Sequence, residues 1–141
     1  MTIVDGVGLL LIGPDDSIFL LRELRGKAHF GKAAGMVSFP IETIEPNETS
    51  FQALGRLIKE EIGVSMLNLP MFFKKFMINL NGIYTEQLFM YQLRCPENFV
   101  ATPDDDDVEH FGWLLPNQIL ELGAGRIRLE VRPVIGAYLE S

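Results

Sequence analysis

A chain of 141 residues with 48% hydrophobic and 22% charged side chains is long and apolar enough to bury a core, which excludes a disordered protein. Its formal net charge of −7 argues against a nucleic-acid partner, because binding a phosphate backbone needs a basic surface. The single cysteine excludes an intrachain disulfide. There is no basic amino-terminal region and no long apolar run, so we expect a cytoplasmic protein without a membrane partner.

The first part of the chain predicts three strands. Residues 3–12 and 17–24 are apolar runs on either side of a turn signal that includes Gly13 and Pro14, and we expect them to form a hairpin. Residues 36–39 predict a short strand that Pro40 stops.

The clearest predicted helix follows. Thr49 and Gln52 fit a capping box, so the helix should begin there and run to about Ile62. Gly63 supplies a left-handed cap at its end.

The second part of the chain predicts another hairpin, a strand and two helices. Residues 71–80 and 83–94 form the hairpin, because Asn81-Gly82 between them is a strong signal for a tight turn. An acidic loop, a strand around Trp113 and a short helix follow at residues 101–107, 111–115 and 116–122. Pro133 lies near the start of a last helix. We therefore expect residues 1–141 to form a single α/β domain.

Two glutamates at the end of the predicted helix break local rules. The helix has an apolar arc made by Phe51, Ala53, Leu54, Leu57, Ile58 and Ile62. Glu61 falls inside this arc, and Glu60 lies just beyond its edge beside Arg56. A core-facing carboxylate is costly unless it is paired or binds a cation, and both negative charges oppose the helix dipole. This pattern indicates a functional site, although a solvated face with an Arg56–Glu60 pair is the commoner explanation of such a helix end.

A longer segment resembles the signature of the Nudix hydrolase family, G-x5-E-x7-R-E-U-x-E-E-x-G-U, in which U is a bulky aliphatic residue. The positions that match at the required spacing are Glu48, Arg56, Ile58, Glu60, Glu61, Gly63 and Val64. The resemblance extends to most of the chain and implies the Nudix fold, an α/β fold in which a mixed β-sheet is sandwiched between helices.

Two positions depart from the signature. Glu42 stands in place of the first glycine, and Leu57 stands in place of the glutamate that follows the arginine. In the family, that glutamate joins the pair three and four residues later in holding Mg²⁺ or Mn²⁺, and in some members it is the general base. A leucine at this position is also explained as an ordinary core contact.

The resemblance assigns roles to the remaining residues of the segment. Glu60 and Glu61 would be oxygen ligands for the metal, and the backbone carbonyl of Glu42 would be a further ligand. Glu48 and Arg56 would form an ion pair that braces the loop against the helix.

With Leu57 at the departing position, a general base must come from elsewhere, and the candidates are Glu42, Glu86, Asp107 and Glu109. Asp107 and Glu109 are the best placed, because many Nudix enzymes carry an additional ligand or base before the corresponding strand. A solvated turn is the commoner explanation for either one, and an outward-facing strand residue explains Glu86 equally well. The glycine-rich loop of residues 26–35 adds Lys27, His29 and Lys32 as candidates for phosphate contacts, although a solvated loop is the commoner explanation.

Three functions are compatible with the sequence. The favoured one is a hydrolase that cleaves a nucleoside diphosphate linked to another moiety, using Mg²⁺ or Mn²⁺, with activity weakened or lost through Leu57. The second is a Nudix-fold module that binds a nucleotide-like ligand without turning it over. The third is a protein-interaction domain with a vestigial cleft. The expected partner is a small nucleotide-like molecule; a homodimer and the identity of the substrate stay open.

Overall fold

The computed structural model describes residues 2–26, 32–65 and 68–141, which form a mixed seven-stranded sheet with helices on both faces. The strands are β1 Thr2–Ile12, β2 Ile18–Glu23, β3 Val37–Ser38, β4 Ile41–Thr43, β5 Met71–Leu80, β6 Tyr84–Arg94 and β7 Val108–Leu114. The helices are α1 Ser50–Leu57, α2 Pro116–Glu121 and α3 Val131–Glu140. The predicted arrangement, a mixed sheet sandwiched between helices, is confirmed.

The sheet is organised around β1, whose residues 6–12 are buried on both faces of the sheet. Leu10 and Ile12 pack into the core beneath α2 and α3, whereas Leu9 and Leu11 pack into the core beneath α1. Burial on both faces explains why this part of the strand is a continuous apolar run rather than an alternating one. β1 pairs in parallel with β6 along its whole length and antiparallel with β4 at its middle.

The first predicted hairpin is present only at its turn. β1 and β2 are joined by one residue pair, Ile12 with Ile18, and then diverge. β2 continues with β7 and β3 as its partners, while β1 continues with β6 and β4. The turn signal fixes where the chain reverses, but the partners of two strongly apolar strands are chosen by the whole sheet. The divergence leaves room for a cleft between the far ends of β1 and β2.

The second predicted hairpin is confirmed. β5 and β6 pair antiparallel from Met71 with Gln92 to Leu80 with Tyr84. At the turn, Asn81 and Gly82 have φ angles of 54° and 75°, and the amide of Ile83 donates to the carbonyl of Leu80 over 3.2 Å. Two consecutive left-handed residues match the twist of the flanking strands, which is why Asn-Gly is favoured here.

Helix α1 begins as predicted but ends in an unusual turn. The amide of Gln52 donates to Thr49 Oγ1 over 3.1 Å, and the amide of Thr49 donates to Gln52 Oε1 over 2.9 Å, so the capping box is complete. After Leu57 the chain continues as a π-helical turn over Ile58–Ile62. The amide of Gly63, whose φ is 69°, closes it by donating to the carbonyl of Ile58. Such wide turns are often found at functional sites.

The buried stripe of α1 is narrower than the predicted arc. Ala53, Leu54 and Leu57 are buried against the sheet, and Leu57 is 0% exposed. The prediction that Phe51 faces the core is wrong, because its side chain is 51% exposed. Phe51 lies at the edge of the arc, where its ring meets Tyr91 edge-on at a centroid distance of 6.2 Å.

A buried ionic cluster ties the segment before α3 to the sheet. The guanidinium of Arg128 lies 3.1 Å from Glu23 Oε1 on β2 and 3.0 Å from Glu130 Oε2. Glu86 on β6 interacts with the Glu130 carboxyl and is also buried. A side chain at Gly6 would bring its Cβ to 2.6 Å from Glu86 Oε2, so the neighbouring glycine makes room for this carboxyl.

Replacing Leu57 with alanine tests its place in the core. Truncation of a fully buried leucine typically lowers the free energy of unfolding by about 2–5 kcal/mol, because it removes contacts and leaves a cavity. We expect Leu57→Ala to fall in this range in urea denaturation. The matched control, Leu57→Met, conserves volume and should cost less than about 1.5 kcal/mol. A loss for Leu57→Ala no larger than for Leu57→Met would show that the side chain is not part of the core.

The proton held by the Glu86 side chain is expected to make stability depend on pH. Burial and the neighbouring Glu130 carboxyl raise the pKa of Glu86 from 4.5 to about 9. Between these values the folded protein holds a proton that the unfolded chain has released, so the free energy of unfolding should fall as pH rises. Glu86→Gln keeps the neutral shape and should remove up to about 1.4 kcal/mol of this fall per pH unit.

Urea denaturation of both proteins at pH 5.5, 7 and 8.5 measures this difference. The exposed Glu140→Gln variant is the control and should retain the pH dependence of the wild type. If Glu86→Gln loses stability with pH as steeply as the wild type does, then Glu86 does not hold the proton.

Candidate functional site

An acidic cleft lies between the separated ends of β1 and β2 and encloses about 730 Å³, including its open mouth. The carboxylates that line it are Asp5, Glu23, Glu42, Glu61, Glu86, Asp105 and Asp107. Two basic side chains, Lys32 and Arg128, also line it, and both pair with Glu23. The cleft is therefore strongly negative, and an anionic ligand would need a cation to enter it.

Glu61 reaches this cleft from the π-helical turn. Its side chain is 3% exposed, and its Oε2 atom has no hydrogen-bond partner among the described residues. Burial raises the pKa of Glu61 well above its usual range, and a hydrogen bond and charge repulsion from the Glu42 carboxyl raise it further. A buried carboxyl with an unpaired oxygen needs either a proton or a cation.

Glu60, its neighbour in sequence, does not line the cleft. Its carboxylate is 43% exposed and lies 3.7 Å from Arg56 Nη1. Consecutive residues of a helical turn do not share a face, so one glutamate enters the cleft while the other stays at the surface. Of the predicted ligand pair only Glu61 lines the cleft, and a shared role of Glu60 and Glu61 at a metal stays a prediction.

Arg56 joins the helix to the loop that precedes it. Its Nε and Nη2 atoms donate to the two oxygens of Glu48 over 3.2 and 3.1 Å, and Nη2 also donates to the carbonyl of Thr43 over 2.7 Å. The hydrogen bond from Arg56 lowers the pKa of Glu48, and the amide of Glu45 adds a second hydrogen bond to the same carboxylate. The ion pair that was expected to brace the loop is present.

Glu42 contributes a carboxyl group to the cleft, not only a backbone carbonyl. Its neighbour Ile41 packs into the core beneath α2 and α3, so strand alternation turns Glu42 towards the face that carries α1. Glu42 Oε1 lies 3.4 Å from Arg56 Nη1, and its carboxyl hydrogen-bonds with that of Glu61. The sequence analysis assigned Glu42 a backbone carbonyl for the metal and a possible role as base, but not a carboxylate ligand, because side-chain direction on so short a strand depends on its pairing.

The remaining candidate bases lie in different environments. Asp107 lines the cleft, with Arg25 3.5 Å away. Glu109 does not line the cleft; it pairs with Arg22 over 2.7 Å. Glu86 is at the cleft wall within the ionic cluster.

Several residues of the cleft were absent from the sequence-based candidates. Arg128, Glu23 and Asp5 carry no signature, and only tertiary structure brings them together with Asp105 of the predicted acidic loop. Of the suggested phosphate contacts, Lys32 lies 3.4 Å from Glu23 Oε2, whereas Lys27 and His29 fall outside the described residues.

The cleft offers the donor atoms that a hard cation prefers. All of its acidic groups present carboxylate oxygens, the ligands of Mg²⁺ and Mn²⁺, and Glu61 Oε2 is a buried oxygen without a partner. Within residues 2–26, 32–65 and 68–141, no three His, Cys, Asp or Glu side chains already surround a common point. The residues therefore fit a cation held first by Glu61 and Glu42. No helix in these same ranges is long and apolar enough to cross a membrane.

Solved structures with the same fold include three that cover nearly all of this chain. The Nudix domain of NrtR from Shewanella oneidensis, cocrystallised with ADP ribose, has a TM-score of 0.77 and 14% identity and covers 99% of this chain and 88% of its own. The MutT protein of Methanosarcina mazei Go1 has a TM-score of 0.72 and 15% identity, and the match covers 99% of this chain and 94% of the MutT chain. A bifunctional NMN adenylyltransferase/ADP ribose pyrophosphatase from Francisella tularensis has a TM-score of 0.69 and 19% identity, and the match covers 98% of this chain and 41% of the bifunctional chain. At these identities the likeness shows the fold alone.

No curated protein matches the chain. The sequence pattern of the NUDIX domain, however, matches residues 2–133, almost the whole chain. Together with the sheet and the Glu48–Gly63 segment described above, this match identifies the family. The chain belongs to the Nudix domain family.

Proposed function

We propose that this protein is a divalent-cation-dependent hydrolase that cleaves a nucleoside diphosphate linked to another moiety. The observation that carries the proposal is the carboxyl of Glu61, which is buried in an acidic cleft with one oxygen unpaired. A buried carboxyl of this kind lowers stability, so a protein without a function for it would be expected to lose it during evolution. Family membership supports hydrolysis as the reaction class.

Different residues of the site would bind the cation and hold the site in place. Glu61 and Glu42 would hold Mg²⁺ or Mn²⁺; the signature also assigns Glu60 to the metal, but the Glu60 carboxylate does not line the cleft. When bound, the cation would neutralise the diphosphate and lower the pKa of an attacking water. The Arg56–Glu48 ion pair holds the preceding loop against the end of the helix.

The environments of the candidate residues narrow the choice of general base. Glu86, whose pKa is raised to about 9, carries a proton at neutral pH and is therefore unsuited to accept one. Glu109 is engaged by Arg22 away from the cleft. Asp107 lines the cleft on an exposed loop and is the proposed base.

The proposed substrate class is based on the charge of the cleft and on the structurally similar proteins. A cleft lined by this many carboxylates disfavours nucleic acid but accepts a small diphosphate together with its cation. One neighbour is described with ADP ribose and another as an ADP ribose pyrophosphatase. We therefore propose a small nucleotide-like substrate, in a protein of the cytoplasm.

A binding module without turnover is the second candidate, and one observation favours it. Leu57 is buried in the core at the position where the signature has a catalytic glutamate. A cleft that has lost this carboxylate can still hold a nucleotide and its cation.

A turnover assay separates the two functions. Purified protein is incubated with ADP ribose and other nucleoside diphosphate derivatives, with Mg²⁺, with Mn²⁺ and with EDTA, and products are separated by chromatography. We expect cation-dependent cleavage that Glu61→Gln lowers by at least about tenfold, since even the partners of metal ligands are worth about 10–100-fold. The exposed Glu121→Gln variant is the control and should leave the rate unchanged.

Other outcomes of the same assay decide against the hydrolase. Calorimetric binding of ADP ribose and Mn²⁺ without any cleavage by the wild type would favour the binding module. Cleavage that is equal in wild type and Glu61→Gln would mean that the cleft is not the active site.

A further inference from the structure

We infer that the two departures from the Nudix signature compensate for each other: the carboxylate of Glu42 on β4 replaces the one that the helix lacks at Leu57. The cation-binding pair is then Glu42 with Glu61 rather than Glu60 with Glu61. This inference rests on the proposed cation-dependent function.

At the first acidic position of the signature, the helix carries Leu57, which is part of the core. Leu57 is 0% exposed and packs in the same cluster as Ala53, Leu54 and Phe19. A carboxylate at this point would lie among hydrocarbon side chains, so this face of α1 no longer supplies a ligand there.

Strand β4 supplies a carboxyl group to the cleft that Glu61 also lines. Glu42 is held in place by pairing of β4 with β1, where it lies across from Val7. Its carboxyl contacts that of Glu61 and faces Arg56 at 3.4 Å. A glycine at this position, as in the signature, would offer only its backbone carbonyl.

The pair that results has the character of a cation site. Two adjacent carboxylates repel each other, so the place between or beside them favours a positive charge. Arg56 faces Glu42 but not the free Oε2 of Glu61, which has no hydrogen-bond partner and is buried. That unpaired oxygen lines the cleft and is the atom a cation would satisfy.

Glu60 is placed differently. Its carboxylate and that of Glu42 lie 3.7 and 3.4 Å from the same atom, Arg56 Nη1, but only Glu42 lines the cleft. The backbone carbonyl of Glu60 accepts a hydrogen bond from the amide of Asp104 over 2.7 Å, which fixes the orientation of the turn.

Calorimetric titration of Mn²⁺ into the full chain tests the inference without relying on activity. We expect Glu42→Gln and Glu61→Gln each to weaken Mn²⁺ binding by at least about tenfold, because each removes a ligand and a negative charge. Glu60→Gln should change the dissociation constant by less than about threefold. The matched control is Glu45→Gln, which removes another carboxylate that faces Arg56, at 3.9 Å, but that does not line the cleft.

Replacing Glu42 by the signature's glycine separates the side chain from the backbone. Glu42→Gly retains a carbonyl at this position and should still lose binding as Glu42→Gln does. Binding at the wild-type level by Glu42→Gly would assign the ligand to the carbonyl and overturn the inference. The glycine variant also carries the test if Glu42→Gln does not fold, and melting temperatures without metal verify that each variant is folded.

The outcomes distinguish this inference from the proposed function. If Glu60→Gln and Glu61→Gln lose Mn²⁺ while Glu42→Gln keeps it, the pair of the signature holds the cation; the inference is then wrong and the hydrolase stands. If the wild type itself binds no Mn²⁺, both are wrong.

Discussion

The burial of the Glu61 carboxyl is the constraint around which the cleft is arranged. The Glu61 side chain is almost completely removed from solvent, which is costly for a carboxylate. It also lies at the carboxyl end of a helix, where the helix dipole disfavours negative charge. Nothing in the packing of the helix requires it, because Leu54 and Leu57 already cover the sheet. Glu61 lines the cleft from the wide turn after Leu57, whereas Glu60 in the same turn does not line it.

Two arginine-centred networks flank this carboxyl and fix the walls of the cleft. Arg56 links the helix to β4 and to the Glu48 loop, and it stands beside Glu42, the direct neighbour of Glu61. Arg128 links the segment before α3 to β2, and its charge partly offsets the repulsion that Glu61 meets. Both arginines pair with other carboxylates, and neither donates a hydrogen bond to Oε2 of Glu61.

The sequence predicts those features that depend on local chemistry. The capping box at Thr49, the Asn81-Gly82 turn and the left-handed cap at Gly63 each follow from a few neighbouring residues, and all three are present. The burial of Glu61 follows from the helical period, even though the last turn is wider than an α-helix. The Glu48–Arg56 pair follows from the signature.

Features that depend on distant pairing were not predictable in the same way. The partners of β1 and β2, the inward direction of Glu42 and the cluster around Arg128 all arise when segments far apart in sequence meet. Phe51 was misplaced because a helical wheel shows periodicity but not where the underlying sheet ends. Glu109 was attractive by position in the sequence, yet strand pairing sets it beside Arg22.

The most direct test of this account is the position of a bound cation in a crystal. Crystals grown with Mn²⁺ would be measured at a wavelength where manganese scatters anomalously. The account predicts one anomalous peak in the cleft, in contact with Glu61 Oε2 and shared with the Glu42 carboxylate. A peak at Glu60 away from Glu42, or crystals whose cleft shows no peak at a saturating Mn²⁺ concentration, would contradict it.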